Sequence, residues 1–366
     1  MLVIAILVFV RGQDRSVTPT YHAAVANWSA GQSLYHGPEG RHYHYLPHFV
    51  PLFLLFHTIP FPIGDILWRF AGAALLAGAL WRVVRHNAGD RAPRRFLWTT
   101  AIALPLSLPA IQNGQANAHL AALFLLAAAC LQRNQSWSAA AFLALAVAVK
   151  PLGIVMVLLA PAVYAPVRWR LPIVLAALAA FPLLLAPPDY ALDQFSAAWT
   201  SLRSSAEVSE RRFADLNGIL RVFGTELTPP LSIWVRVVTG LLILGLWWQW
   251  SRRSTEPNRA MGLHALTAGY LMLANPMNEA NSYIILAPAL AFWAVQWMSE
   301  TAWSRAGWAL AVMALAMGLL PNIVRPLFGN SFALIFHPAM TLVFLGMLIA
   351  YHQLPATHLA EPPPRN

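Results

Sequence analysis

Apolar stretches recur along the whole chain, at residues 48–60, 63–84, 97–111, 116–131, 137–149, 152–164, 171–186, 229–250, 260–274, 281–298, 304–320 and 331–351, with polar or proline-containing breaks between them. Runs of this length and character predict helices that cross or enter a bilayer. Residues 1–10 are also apolar, yet too short to cross about 30 Å of hydrocarbon unaided. No small-residue cleavage site follows them, so they read as a short first span whose true start lies upstream or as an uncleaved signal-anchor. The pattern as a whole predicts about 11 to 13 membrane segments.

Two of these features change the topology. Residues 48–60 are interrupted by Pro47, Pro51, Pro60 and Pro62, which predicts a short or re-entrant segment, tolerated only where protein or a wet cavity covers its backbone. Two polar stretches, 11–44 and 187–228, are long enough to hold a site outside the bilayer. In the first, Tyr21, Ala24, Val25 and Trp28 fall at helical spacing, predicting a short helix over about 21–30 that lies on the membrane face. No Gly/Ser linker or compositional step divides the chain, so residues 1–366 are expected to form one integral membrane domain.

Composition agrees: 58% of residues are hydrophobic, 10% are charged, 15 are Trp, and mean hydropathy is +0.55, which belongs to a polytopic, all-α membrane protein. The excess of 24 Lys and Arg over 14 Asp and Glu does not indicate nucleic acid, because the arginines gather at the ends of apolar runs, where they control topology. Arg82, Arg85, Arg91, Arg94, Arg95, Arg133, Arg168, Arg170, Arg252, Arg253 and Arg259 all fit cytoplasmic turns. Counting crossings from Arg95 then places residues 111–117, Lys150-Pro151, 187–228 and 275–283 together on the far side. The single cysteine, Cys130, lies in an apolar run and can form no intrachain disulfide. The glycine-rich nucleotide loops and the nucleophile elbow of soluble enzymes are missing from the sequence.

Polar groups at membrane depth are costly and mark function by default. Lys150 ends an apolar run and precedes a proline that cannot join the helix ladder, so its ammonium would sit at the outer end of a broken helix. Its natural counter-charge is a phosphate; a lysine snorkelling to the interface is the plainer alternative. Gln115 and Asn117, in Gly114-Gln115-Ala116-Asn117, suit a sugar hydroxyl or phosphate oxygen, against a simple helix cap by Asn113 or Asn117. Glu279, flanked by Asn278 and Asn281, suits a sugar or acceptor contact, or else caps the next helix. His42, His44 and His48 alternate with Tyr43 and Tyr45; without a cysteine or acidic partner no metal site is expected, and sugar contact or interfacial packing are the readings left.

The order of these motifs is informative. Tyr21-His22-Ala23-Ala24, Gly31-Gln32-Ser33-Leu34-Tyr35, Tyr45-Leu46-Pro47, Gly114-Gln115-Ala116-Asn117 and Lys150-Pro151 together resemble glycosyltransferase family 87 over roughly residues 10–290. The resemblance implies a GT-C fold: a bacterial inner-membrane enzyme that moves a hexose, mannose foremost, from a polyprenyl-phosphate donor to a lipid- or glycan-linked acceptor on the outer face, with no cofactor. It places Lys150, Gln115, Asn117, Tyr45 and His44 on the donor, and Tyr21, Asp215 and Glu279 on the acceptor side. It also implies an aspartate base four or five residues before the Tyr-x-Ala-Ala tyrosine. Asp14 stands seven residues before Tyr21, which fits if residues 15–20 carry a short insertion; Glu39 is the next choice. In the later loop, Phe213-Ala214-Asp215-Leu216-Asn217-Gly218 departs from the family's Asn-Gln-Ser stretch, so Asp215 would stand in for a hydroxyl near the acceptor, or be a solvated loop acid paired with Arg211 or Arg212.

A polytopic transporter or flippase of lipid-linked substrates is the rival from another class. It would be expected to carry an internal repeat, and the motifs above each occur once. A polyprenyl-diphosphate-dependent ligase is the rival among enzymes, and would call for further cations such as Arg211 and Arg212.

Overall fold

The computed structural model describes residues 16–35, 43–206 and 213–353 and the single positions 6, 8 and 10. Asp14, Glu39, His42, Arg211 and Arg212 lie outside the described residues. Among those described, the regular structure is helical, with no strand. The helices are α1 (Thr18–Ser29), α2 (Phe49–His57), α3 (Ile63–Ala88), α4 (Ala92–Gln112), α5 (Asn117–Gln132), α6 (Ser136–Val149), α7 (Ile154–Val163), α8 (Val167–Leu185), α9 (Pro188–Ala206), α10 (Leu216–Val222), α11 (Pro229–Arg253), α12 (Asn258–Ala274), α13 (Ala287–Met298), α14 (Ser304–Phe328) and α15 (Ser331–Gln353).

Among the described residues, five helical stretches are long and apolar enough to cross a membrane: Ile63–Gln112, Val167–Leu185, Pro229–Arg253, Thr301–Phe328 and Ser331–Gln353. The first contains the α3–α4 hairpin, whose legs pack side by side. Shorter apolar helices, α5, α6 and the Pro151–Val163 segment, fill the interior. α5 is buried on every face, which explains why its sequence shows no polar stripe. With nine residues, α2 is about 14 Å long, half of what a span needs, in keeping with the short segment expected at 48–60.

Three differences from the sequence pattern stand out. The 187–228 stretch holds two helices, α9 and α10, which a search for apolar runs did not mark because α9 interleaves polar and apolar residues. The expected helix over 281–298 is broken into a 3-10 turn, Ala280–Ile285, and α13. α14 continues past 320 to Phe328 despite Pro321 and Pro326.

The bundle has two chemically distinct ends. At one, Arg82 donates to Gln135 Oε1 (2.9 Å), Arg95 reaches Gln296 Oε1 (3.1 Å) and Ser299 Oγ (2.8 Å), and Tyr164 donates to Glu256 (2.7 Å). These bonds gather the basic turns at 82–95, 133–135, 164–170 and 252–259. The opposite end of α3, α4, α6 and α12 carries residues 112–117, Lys150 and the 275–279 turn, while α9 holds the segment after α1: Gln194 accepts from the Leu34 amide (2.9 Å) and Tyr190 donates to the Gln32 carbonyl (2.7 Å).

Candidate functional site

The Gly114-Gln115-Ala116-Asn117 segment is shaped by the way α4 ends. Gly114 adopts φ +68°, and the amides of Gly114 and Gln115 close back onto Ile111 and Ala110 (3.1 and 3.0 Å), a glycine-terminated helix stop. A Cβ at Gly114 would lie 2.8 Å from Thr18 Cγ2 and 3.1 Å from Arg69 Cζ, so glycine is required twice over, by conformation and by space. The Gly114 carbonyl accepts from Trp68 Nε1 (2.8 Å).

From this turn a chain of polar side chains runs across the end of the bundle opposite the basic turns. Lys150 Nζ donates to Asn117 Oδ1 (2.8 Å), Asn117 Nδ2 donates to Gln115 Oε1 (2.7 Å), and Gln115 Nε2 donates to Glu279 Oε2 (3.2 Å). Lys150 is in place because residues before proline leave the helical region: its φ and ψ are −157° and 135°, and Gly153 then packs tightly on α6, where a Cβ would meet the Ala146 backbone at 2.5 Å. Burial pulls the Lys150 ammonium down to about 8, with Glu279 opposing the shift.

Glu279 is held by its neighbour. Asn278 is fully buried; its Nδ2 donates to the carbonyls of Leu271 (3.1 Å) and Met272 (2.7 Å) at the end of α12, and its own carbonyl accepts from Ala214 (2.6 Å). This satisfies carbonyls that the helix end leaves open and fixes the turn that presents Glu279.

Tyr21 and Tyr45 meet beside this chain, their hydroxyls 2.7 Å apart, and the Tyr21 oxygen accepts from the Ala116 amide (3.3 Å). Burial raises Tyr21 to about 12, so it acts as a neutral hydroxyl. Its ring sits among Phe49, Phe53 and Trp68.

The sequence-derived residues Lys150, Asn117, Gln115, Glu279, Tyr21 and Tyr45 therefore come together. Lys150 turns inward to Asn117 rather than out to an interface, and neither α5 nor the Ala280–Ile285 turn has a side-chain cap. His44 is half-buried next to Tyr45. His48 packs structurally, with its Nε2 3.0 Å from the Leu178 carbonyl and its ring against Phe195. No group of three or more metal-ligating side chains forms among the described residues. Asp215 is not a solvated loop acid: it is buried, caps α10 through Gly218 N (2.6 Å) and pairs with Arg221 (2.9 Å). Burial raises its carboxyl to about 6 against the pull of Arg221.

One constellation escaped the sequence reading. Asp65, buried in the first turn of α3, accepts from Thr18 Oγ1 and sits 2.9 Å from His22 Nε2. His22 Nδ1 is 2.9 Å from His57 Nδ1, and Arg69 lies 3.5 Å from the same carboxylate while donating to Ser16 Oγ (2.8 Å) and the Gln112 carbonyl (3.0 Å). Asp65 and Arg69, four apart inside an apolar run, are the same signal as Lys150, a charge at membrane depth.

The sequence model of glycosyltransferase family 87 matches residues 43–276. No curated protein and no solved structure matches the chain.

Proposed function

The chain belongs to glycosyltransferase family 87 and is a membrane glycosyltransferase, and from that premise we propose that it transfers a hexose, mannose foremost, from a polyprenyl-phosphate donor to a lipid- or glycan-linked acceptor hydroxyl. The single observation that carries the donor assignment is the Lys150 ammonium, held on Asn117 at the outer end of the bundle. A half-buried cation on an amide that is itself held by a second amide is what a sugar-linked phosphate meets well, and a prenyl tail has apolar helix surface beside it.

In this reading the acceptor oxygen attacks the anomeric carbon as the bond from that carbon to the phosphate oxygen breaks. The acceptor's proton passes to a carboxylate base, with Asp14 in that role and Glu39 the alternative. The departing phosphate keeps the bonding electrons, and its growing charge is taken up by Lys150 with Asn117 and Gln115. Tyr45 and His44 contact the donor sugar; Tyr21, Asp215 and Glu279 lie on the acceptor side.

The basic turns collect at the end away from Lys150, and the positive-inside tendency puts such turns in the cytoplasm. We therefore assign the site to the periplasmic face of a bacterial inner membrane. The test is transfer of radiolabelled mannose from synthetic polyprenyl-phosphate mannose to total lipid extract by membranes holding wild type or Asp14→Asn. Label moved by wild type alone supports donor class and base together. Label moved equally by both removes Asp14 from the mechanism, and label moved by neither removes mannose with these acceptors.

A further inference from the structure

Beyond the Lys150 chain, on the other side of residues 112–113, lies a cavity of about 740 Å3, within the range that holds a small ligand. Its walls are α4, α14, α15 and the Ala280–Ile285 turn, with Ser16 and Val17 alongside. The α14 and α15 walls lie beyond residue 276, outside the family match. α14 can approach α4 this closely because of Gly318, where a Cβ would lie 2.6 Å from the Leu106 amide.

The lining is chemically selective. Its lining residues include Gln112, Asn113, Asn281, Asn322 and Asn330, each bearing an amide, and Arg325, bearing a guanidinium. An amide both donates and accepts, as a hydroxyl does, so five of them suit a polyol. A guanidinium fork suits a phosphate. Like Arg69 and Arg221, Arg325 is carried away from the basic turns, here in the part of α14 that runs past the expected stop. Its position near a helix C-terminus is favourable for a cation, but that alone does not account for five amide-bearing residues lining the same space. At the cavity wall His337, 2% exposed, stacks on Tyr283 and bonds Met317 O through Nε2 (3.0 Å), while its Nδ1 is buried without a partner.

The cavity is continuous in sequence with the Lys150 chain on two sides: Gln112 and Asn113 lead into Gly114-Gln115, and Glu279 leads into Ala280 and Asn281. We propose that this cavity binds a phosphorylated polyol, the headgroup of the acceptor, with Arg325 taking the phosphate and the amides the hydroxyls. The word acceptor rests on the transferase reading; the binding does not.

The test is equilibrium binding to purified full-length protein, with dioctanoyl phosphatidylglycerol as the lipid probe, glycerol 3-phosphate as the soluble one and dioctanoyl monoglucosyl glycerol as the uncharged one. Saturable binding of the phospholipid is expected, weakened about tenfold or more in Arg325→Gln, as for loss of a charge-assisted hydrogen bond. The same substitution should leave the uncharged glycolipid unchanged. Ala333→Trp should fill the cavity and abolish both. Equal competition by glycerol 3-phosphate would assign the site to a soluble phosphopolyol and overturn the lipid headgroup. Binding indifferent to Arg325→Gln, or lost instead in Lys150→Ala, overturns the proposal. If these probes bind as expected while no sugar is transferred, it is the transferase reading that fails and the cavity assignment that stands.

Discussion

His22 and Asp65 meet at 2.9 Å although 43 residues separate them, and this contact pins α1, the helix that carries Tyr21, to the N-terminal end of α3. The carboxylate also balances Arg69, whose side chain is 1% exposed. Removing one partner of a buried pair leaves the other charge uncompensated, at a cost of about 3–5 kcal/mol. Asp65→Asn should therefore lower the thermal unfolding midpoint in detergent markedly, and Asp65→Asn with Arg69→Met should recover part of the loss. An unchanged midpoint in the single variant would show that the pair does not hold α1 in place.

Lys150→Ala addresses the donor role. Removing one preorganised donor to developing charge typically costs about 10²–10³ in turnover. The expected outcome is a fall of that order in kcat/KM for polyprenyl-phosphate mannose with the unfolding midpoint kept, and a smaller fall for Asn117→Ala, which frees the ammonium without deleting it. Normal turnover by folded Lys150→Ala would take the phosphate away from this residue.

The alkaline side of the pH profile follows from the same group. An ammonium lowered to about 8 by burial is charged below that pH and neutral above it. Donor use in free enzyme, read as kcat/KM, should decline as pH rises through about 8. Lys150→Arg, which stays protonated, should move that decline to higher pH whatever its effect on rate. A limb that stays put in Lys150→Arg belongs to another group.

How far the sequence carried this picture depends on the element. Lys150, Gln115, Asn117, Glu279 and Tyr45 were legible because each is a polar group next to an apolar run or a proline, and membrane energetics make such positions conspicuous; Tyr21 was legible through its Tyr-x-Ala-Ala motif. Asp65 and Arg69 carry the same signal four residues apart, but the run around them is apolar enough to read as an ordinary span, and only the fold shows His22 and Thr18 arriving from α1. α9 was missed for the opposite reason: its apolar positions, Leu192, Phe195, Trp199 and Leu202, fall at helical spacing but stand among polar residues and form no continuous apolar run. The long continuation of α14 was masked by Pro321 and Pro326, which end most soluble helices and are tolerated in membrane bundles, where freed backbone groups find other partners.

Gly114 gives the sharpest test of how the site is built, because its two requirements can be separated. Gly31 and Gly114 share nearly the same φ, +67° and +68°. A Cβ at Gly31 meets nothing within 4 Å, whereas at Gly114 it meets Thr18 and Arg69. An alanine at either position carries the left-handed backbone penalty, of order 1–3 kcal/mol; at Gly114 it must in addition displace the side chains that hold Asp65 and Ser16. Gly114→Ala should therefore lower the unfolding midpoint more than Gly31→Ala and, by shifting Gln115 and Asn117, reduce donor turnover, while Gly31→Ala costs stability alone. Equal losses of stability in the two variants would mean that conformation, and not the close approach of α1 and α3, is what requires glycine there.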